Sequence, residues 1–291
     1  MTKICILSRS RNYFSTREIE KSLERRGAVP AYVQTRDVRL LAESDGVDIS
    51  YEGKSIKGVN AVIPRIGRSL TNFGYTIIRH FEILGVPTTL SSHGLMNARD
   101  KFRTLQDLSA AGIPIPPTWL VASRIRHEFV AKELPFPVVI KLLSGTQGIG
   151  VIRVQSAIDA ISIVDALDEL DQRVCIQKYL ENPGEDVRAF IVDEAVVAAM
   201  KRIASPNDWR ANIHAGGRGV AYELTSEEEE IVIKAARALD VGVAGVDMIQ
   251  TDEGTYVIEV NVSPGFEGLL SATGVNAAEA IADYAMRIAK R

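Results

Sequence analysis

The stretch VIEVNVSP, residues 257–264, sets Glu259 and Asn261 inside an otherwise apolar β-run. Residues two apart in a strand share a face, so the carboxylate and the amide are aimed into one small volume. Val257, Ile258, Val260 and Val262 mark the run as largely buried. A buried carboxylate is costly, or shifts its pKa, unless something positive meets it. The run therefore demands a cationic partner, either a metal ion or a basic side chain.

A second apolar run, GVDMIQ (245–250), carries the lone carboxylate Asp247. It pairs with TYVIEVN (255–261) across the turn TDEG. With the hairpin closing around 252–254, Asp247 and Glu259 fall side by side on adjacent strands. Asp247, Glu259 and the Asn261 amide oxygen then form an all-oxygen set suited to Mg²⁺ or Mn²⁺. Such ions normally complete their shell with water and substrate phosphates. The competing reading pairs the two carboxylates with arginines such as Arg188, Arg202 or Arg210.

The loop SGTQGIG (144–150) supplies Gly145, Gly148 and Gly150, positions able to leave the usual φ/ψ regions. Successive N–H groups of such a loop can lie against phosphate. It joins strand to strand, so it matches neither GxxxxGK[ST] nor GxGxxG opening a helix, and a plain flexible hairpin is the alternative. Lys141, on the strand VVIKLL leading in, is a phosphate ligand or a lysine snorkelling to solvent.

Composition narrows the function classes. A length of 291 residues suits two or three packed subdomains. Hydrophobic residues at 46% and charged residues at 24% are those of a soluble globular protein. A net charge of −3 provides no basic field for nucleic acid. No apolar run is long enough to span a membrane, and the apolar start of MTKICILSRS is too short for a secretory signal. Cys5 and Cys175 form no CxxC pair and read as buried reduced thiols. The expected compartment is the cytoplasm, with neither nucleic acid nor membrane as partner.

Strands and helices alternate along the chain. KICILS (3–8), AYVQT and VNAVIPRIG (59–67) read as strands, and ISYEGKSI (49–56) as a hairpin. Ser15, Glu18 and Gly27 frame a helix with a capping box and a C-terminal glycine. A helix over about 70–84 ends at Gly85, VPTTL is a strand, and a long helix runs from about 92 to 111. This alternation predicts a doubly wound parallel α/β sheet in the first 95 residues. IPIPP (113–117) is the candidate linker. Beyond it lie strands at 137–156 around the Gly-rich turn, a helix at 157–170 and a strand at 173–180. A hairpin at 186–203, a helix at 226–239, the Asp247 hairpin and a closing helix at 276–290 follow. The predicted fold class is α/β and α+β. Its units are an N-terminal α/β domain (1–95), a central lobe with the Gly-rich loop (96–180) and a C-terminal lobe with the metal site (181–291).

The segments AVIPRIG (61–67), ARDKFR (98–103), KLLSGTQGIGV (141–151), RANIHAGG (210–217), AGVDM (244–248) and EVNVSPGFEG (259–268) together resemble the RimK-type ATP-grasp carboxylate–amine ligases over nearly the whole chain. The resemblance implies an ATP-grasp fold and an ATP-dependent ligase that passes through an acylphosphate. It implies that Lys101 and Lys141 bind ATP phosphates while the loop from Gly145 to Gly150 closes over them. Gln177 and Lys178 would meet adenine, and Asp186 would lie near the ribose. Arg210 and Asn212 would face the γ-phosphate and the reacting carboxylate, as catalytic and nucleotide-binding residues. Asp247, Glu259 and Asn261 would hold Mg²⁺ or Mn²⁺, two ions in all. Lys178 departs from the acidic residue expected there, as does Ser144 in the loop. His214 orders its loop or serves as a base.

Relatives of this type add L-glutamate to a terminal carboxylate, on a ribosomal-protein C-terminus or on the glutamyl tail of a pterin or deazaflavin coenzyme. They commonly assemble as homotetramers. A dicarboxylic amino acid needs further cations. Arg65, at a strand's carboxyl end, and Arg202 are the candidates, with a structural bridge from Arg65 to Asp100 or Glu82 as the alternative. Other readings are a ligase for another amino acid, a phosphotransferase on the same ATP site, and a non-catalytic nucleotide-binding module.

Overall fold

The computed structural model describes residues 1–121, 124–125, 127–143, 150–182, 184–206 and 217–290. Strand β1 (Lys3–Ser8) leads into helix α1 (Phe14–Arg25), and β2 (Val29–Gln34) returns parallel to β1. An antiparallel meander follows, β3 (Val38–Glu43), β4 (Gly46–Tyr51) and β5 (Lys54–Ser55). Then β6 (Ala61–Arg65) adds parallel to the other side of β1, giving the sheet order β2-β1-β6. The apolar run of β1 is buried on both faces. Cys5 and Leu7 pack with Ile77, Ile78 and Phe81 of α2 (Thr71–Ile83), while Ile4 and Ile6 pack with Ile19 and Leu23 of α1. This is the expected doubly wound parallel sheet.

The expected long helix over 92–111 is two helices, α3 (Ser92–Arg99) and α4 (Lys101–Ala110). Asp100 breaks it. Its backbone turns extended (φ −98°, ψ 113°), and its side chain accepts from the N–H groups of Phe102 and Arg103 as the α4 cap. An aspartate inside a helical pattern prefers this role because its short side chain competes for backbone N–H groups. The capping box at Ser15 and Glu18 is not made. Helix α1 has no side-chain cap, and Glu18 accepts from Lys21 and Asn276 instead. VPTTL forms isolated bridges at Thr88 and Leu90 in place of a strand.

The middle of the chain builds a four-stranded antiparallel sheet, order β7-β10-β8-β9. Its elements are β7 (Thr118–Val121), α5 (His127–Glu133), β8 (Val138–Leu142), β9 (Val151–Val154), α6 (Ala157–Asp168) and β10 (Val174–Lys178). The C-terminal sheet has order β13-β12-β11-β14-β15. It comprises β11 (Glu185–Val192), β12 (Ala195–Ile203), β13 (Arg218–Tyr222), β14 (Val243–Thr251) and β15 (Gly254–Asn261), with α7 (Ser226–Ala238) against it. Helices α8 (Glu267–Thr273) and α9 (Ala277–Ile288) close the chain.

The apolar core runs through the N-terminal and C-terminal parts together. Leu90, Leu95 and Leu108 share a cluster with Val187, Val246, Met248 and Val260. Ile281 and Ala285 of α9 pack with Ile4, Ile6 and Ile63 of the first sheet. Phe190 and Phe266 meet edge-on, ring centroids 6.0 Å apart, beneath the same helix. Gly242 lets α9 come close, because a Cβ there would stand 2.5 Å from the Tyr284 ring. The amphipathic helix α7 begins with a reciprocal Thr225–Glu228 capping box. Among the described residues no helix is long and apolar enough to cross a membrane.

Candidate active site

The β14–β15 hairpin decides the acidic wall. It closes on the pair Thr251–Gly254, and the register then shifts once, between Asp247 and Met248. Met248 faces Val257, whereas Asp247 faces Glu259 and Gly245 faces Asn261. The extra residue, Ile258, is a β-bulge. Without it Val257 and Glu259 would share a face. With it Val257, Val260 and Val262 all reach the core, and Glu259 and Asn261 are turned to the opposite side. The polar pair in an apolar run, and the pairing of Asp247 with Glu259, follow from that one slip.

A polar row crosses this side of the sheet. Asp186 and Arg188 of β11 stand opposite Arg202 and Met200 of β12, and Arg188 stands opposite Asp247. Arg202, 3% exposed, donates to both Asp186 oxygens at 2.5 and 2.7 Å and lies 2.9 Å from Asp247 Oδ2. Arg188 grips Asp247 bidentately, Nε and Nη2 each at 2.6 Å. Burial alone would raise the Asp247 pKa, but Arg188 and Arg202 outweigh it and hold the carboxyl below its ordinary range. Asp186, with Arg202 as its close partner, is pushed up to about 6 by burial. Burial opposes the charge on Arg202, yet Asp247 and Asp186 raise its pKa.

The facing wall is basic. Lys141 on β8 donates to Gln177 Oε1 at 2.6 Å, and Gln177 Nε2 donates to Thr118 Oγ1 at 2.8 Å. Burial lowers the Lys141 pKa to about 8, against the pull of Glu259. Lys101, the first residue of α4, reaches the Leu142 carbonyl at 3.4 Å. Its pKa is also lowered by burial and raised in part by Glu259. Arg65 at the end of β6 donates to the Pro264 carbonyl at 2.6 Å, and Arg99 donates to the Ile66 carbonyl. Burial brings both guanidinium pKa values down to about 10, helped by the charge of Arg99 at Arg65 and by that of Arg68 at Arg99, where Glu259 pulls the other way. The Nε atoms of Arg65 and Arg99 are buried without a hydrogen-bond partner among the described residues.

The RimK PreATP-grasp domain family matches residues 2–95, and the RimK-like ATP-grasp domain family matches residues 98–285. The chain belongs to the RimK-like ATP-grasp family. It is 39% identical over 284 residues to a probable alpha-L-glutamate ligase of Azotobacter vinelandii, covering 97% of this chain and 94% of that one. The ATP-grasp ligase PsnB, solved with a phosphomimetic variant of its minimal precursor, Mg and ADP, superposes with a TM-score of 0.78. That likeness has 20% identity and covers 99% of each chain. D-alanine–D-alanine ligase from Bacillus anthracis, solved with ATP, gives a TM-score of 0.72 at 21% identity, over 100% of this chain and 98% of that one. The two structural likenesses establish the ATP-grasp fold, and the sequence relationships place the chain among ATP-dependent carboxylate–amine ligases.

On this RimK-like frame, Lys101 and Lys141 come close enough to Glu259 for its charge to act on both, and Asn261 lies two residues beyond Glu259 on β15. Asp247 is engaged by arginines, the pairing that the sequence left open as an alternative. A carboxylate has about four lone-pair sites. Three are taken here, leaving one on Oδ1. The donor set thus retains Asp247 Oδ1, exposed Glu259 and the Asn261 amide, whose oxygen also accepts from Ser263 N–H at 3.0 Å. These oxygens suit a hard divalent cation, although no ready-made cluster of three His, Cys, Asp or Glu exists among the described residues. Glu259 makes no ion pair among the described residues, yet its charge is felt by Arg99, Lys101 and Lys141.

Several expected contacts have other partners here. Arg202 is buried and engaged by Asp186 and Asp247. Asp186 holds Arg202. The Gln177 side chain spans Lys141 and Thr118, and Lys178 lies 3.6 Å from Glu253 across the hairpin turn. Arg65 bridges neither Asp100 nor Glu82. Asp100 caps α4, and Glu82 accepts from Ser92. Gly150 is left-handed at φ +76°, while Ser144, Gly145, Gly148, Arg210, Asn212 and His214 lie outside the described residues. Arg188 is the Asp247 partner that the sequence offered as an alternative, whereas Arg99 beside Arg65 has no counterpart in the sequence reading. The register of β11 against β14 selects Arg188, and the α3–α4 break places Arg99, neither of which a linear motif displays.

Proposed function

We propose that this ligase joins the amino group of L-glutamate to an acceptor carboxylate that ATP has activated as an acylphosphate. The observation that carries the reading is the opposition of two walls: partly buried Lys101 and Lys141 on one side, Glu259 and Asn261 on the other. Lysines whose charge is disfavoured by burial gain most when a polyanion arrives. Lys101 and Lys141 would bind the triphosphate, with Gln177 holding Lys141 in place. Asp247, Glu259 and Asn261 would hold one or two Mg²⁺ or Mn²⁺ ions. Such ions would supply neutralisation of phosphate charge. Arg188 and Arg202 fix the orientation and ionisation of Asp247. Arg65 and Arg99 lend positive charge to a carboxylate of the incoming amino acid or acceptor. No nucleophilic side chain is required. The γ-phosphoryl passes to the acceptor carboxylate and ADP leaves. The glutamate amine then attacks the acyl carbon, loses a proton and displaces inorganic phosphate.

The glutamate assignment is supported by the curated relatives named as probable alpha-L-glutamate ligases. Mass spectrometry of enzyme incubated with ATP, Mg²⁺, glutamate and an acceptor should show the acceptor heavier by one or more glutamyl residues. Glu259→Gln should cut glutamate-dependent ADP release by about a thousand-fold, the scale of losing a transition-state electrostatic contact. Its unfolding midpoint should stay unchanged, because Glu259 is exposed and makes no ion pair among the described residues. Full turnover by this variant would remove Glu259 from the metal-and-phosphate site.

A further inference from the structure

Three polar side chains form a row across three neighbouring strands of the four-stranded sheet. Thr118 of β7 stands directly opposite Gln177 of β10, and Lys141 of β8 lies on the diagonal, opposite Cys175. Residues two apart in a strand share a face, so the three side chains meet on one side. Lys141 Nζ donates to Gln177 Oε1 at 2.6 Å, and Gln177 Nε2 donates to Thr118 Oγ1 at 2.8 Å. Thr118 Oγ1 in turn donates to the Pro116 carbonyl at 2.8 Å.

Both ends of this row have a fixed polarity. An ammonium only donates and a carbonyl only accepts, whereas the amide and the hydroxyl between them can do either. Every link therefore points the same way, from Lys141 toward the linker. Reversing the Gln177 amide would turn its NH2 group onto the Lys141 ammonium and would require the Thr118 hydroxyl to release Pro116. Gln177 is 4% exposed, so an NH2 group deprived of Thr118 finds little water to replace it.

The carbonyl at the far end is anchored. Pro114, Pro116 and Pro117 of the linker have φ set by their rings. The Pro114 carbonyl accepts from Val257 N–H of β15, and the Pro117 carbonyl accepts from Lys178 N–H, both at 2.9 Å. Val257 lies two residues before Glu259 on the same strand. The Pro116 carbonyl is thus held between two fixed points, one on each sheet, and the row ties the Lys141 amine to the strand that carries Glu259.

We propose that Thr118 is a positioning residue for the nucleotide triphosphate: its hydroxyl decides which end of the Gln177 amide faces Lys141, and so keeps the ammonium oriented for phosphate. The proposal rests on the nucleotide site of the ligase reading above. A threonine that only packed β7 would leave Lys141 out of its effects. One that acts through Gln177 must lose its influence when Lys141 is gone.

Calorimetric titration of the full-length enzyme with MgATP, with neither amino acid nor acceptor present, tests this at neutral pH. It compares the wild type, Thr118→Val, Thr118→Ser, Lys141→Gln and the Thr118→Val/Lys141→Gln double variant, with MgATP raised to millimolar concentrations so that weak binding stays measurable. Valine keeps the branched shape and removes the hydroxyl. Thr118→Val should weaken MgATP about ten-fold, the scale of leaving one buried hydrogen-bonding group unpaired. Thr118→Ser should bind as the wild type does. In the Lys141→Gln background the same valine should add almost nothing. Unchanged affinity in Thr118→Val, an equal loss in both backgrounds, or failure of serine to restore binding would overturn the assignment. Should Thr118→Val impair folding, Thr118→Ala should show the same loss and the same dependence on Lys141. Coupling of Thr118 to Lys141 without glutamate-dependent ADP release would keep the row and sink the ligase reading. Glutamate-dependent release without that coupling would do the reverse.

Discussion

The two walls of the cleft are built on opposite electrostatic plans. On the five-stranded sheet, Asp186, Arg202, Asp247 and Arg188 alternate in sign and satisfy one another at 2.5–2.9 Å. On the facing side, Lys101, Lys141, Arg65 and Arg99 contact carbonyl and amide oxygens, and burial depresses the pKa of each. The first wall holds its shape through internal pairing. On the function proposed above, the second meets anions that arrive from outside. A site that handles a triphosphate and at least two carboxylates needs both, since a basic wall without a rigid acidic counterpart would collapse onto it and neutralise it. Arg188 and Arg202 prevent that collapse by keeping Asp247 to themselves.

Breaking the internally paired wall should have the largest effect on stability. Asp247→Asn leaves Arg188 without its bidentate carboxylate and removes one of two partners from buried Arg202. Breaking a buried pair costs about 3–5 kcal/mol. We expect a loss near the lower end, about 3 kcal/mol, because Asp186 still holds Arg202. A urea unfolding series would show it as a lower midpoint at constant slope. Activity should be lost as well, so this variant cannot separate folding from chemistry, whereas Glu259→Gln can. An unchanged midpoint for Asp247→Asn would mean that the arginine pairing contributes little to the wall.

The facing wall should reveal itself through pH. Lys141 has a folded pKa of about 8, against an ordinary 10.5. Between those values the unfolded chain binds more protons than the native one, so this group makes stability rise with pH across the window, with its full penalty present below pH 8. Nucleotide binding should run the other way. Affinity for ATP should fall as pH rises past 8, because neutral Lys141 no longer attracts phosphate, and binding near pH 8.5 should take up a proton. Calorimetry in two buffers of different ionisation enthalpy would measure that uptake. Lys141→Gln should abolish both the uptake and the inflection. An inflection that survives in Lys141→Gln would assign the titration to another group.

Much of this arrangement was legible in sequence because it is local or repeats with strand period. The VIEVNVSP and GVDMIQ runs fixed the hairpin, and its turn fixed Asp247 beside Glu259. Even so, the pairing depends on a bulge at Ile258 that alternation alone does not announce. The long helix at 92–111 failed at Asp100, where a side-chain cap outcompeted continuation, and that break is what puts Lys101 at a helix start. Short β7 and the strand β13 carry too little pattern to stand out. Partners distant in sequence were the least legible. Arg188 meets Asp247 across 59 residues, and Arg65 meets Pro264 across 199. A motif names the residue types in such pairs, and tertiary register alone decides which of them are spent on each other.

Arg65 sharpens the contrast between the walls, because it belongs to the basic side yet touches the acidic one. Its Nη2 holds the Pro264 carbonyl at 2.6 Å, just beyond the strand that carries Glu259 and Asn261, while its Nε has no partner among the described residues. A guanidinium kept charged in a site that lowers its pKa to about 10 is expensive unless an anion completes it. If that anion is a carboxylate of the amino acid, Arg65→Ala should raise the KM for glutamate about ten-fold, the scale of one charge-assisted hydrogen bond, and leave the KM for ATP nearly unchanged. If Arg65 serves only to pin Pro264, its loss would loosen β15 and disturb the nucleotide as much as the amino acid. Arg65→Lys separates the two further: a lysine can still reach one carbonyl but cannot present the second donor edge, so it should restore ATP kinetics and not glutamate affinity. Steady-state titrations of both substrates with the two variants would decide it, and parallel shifts in the two KM values would return Arg65 to a purely positioning role.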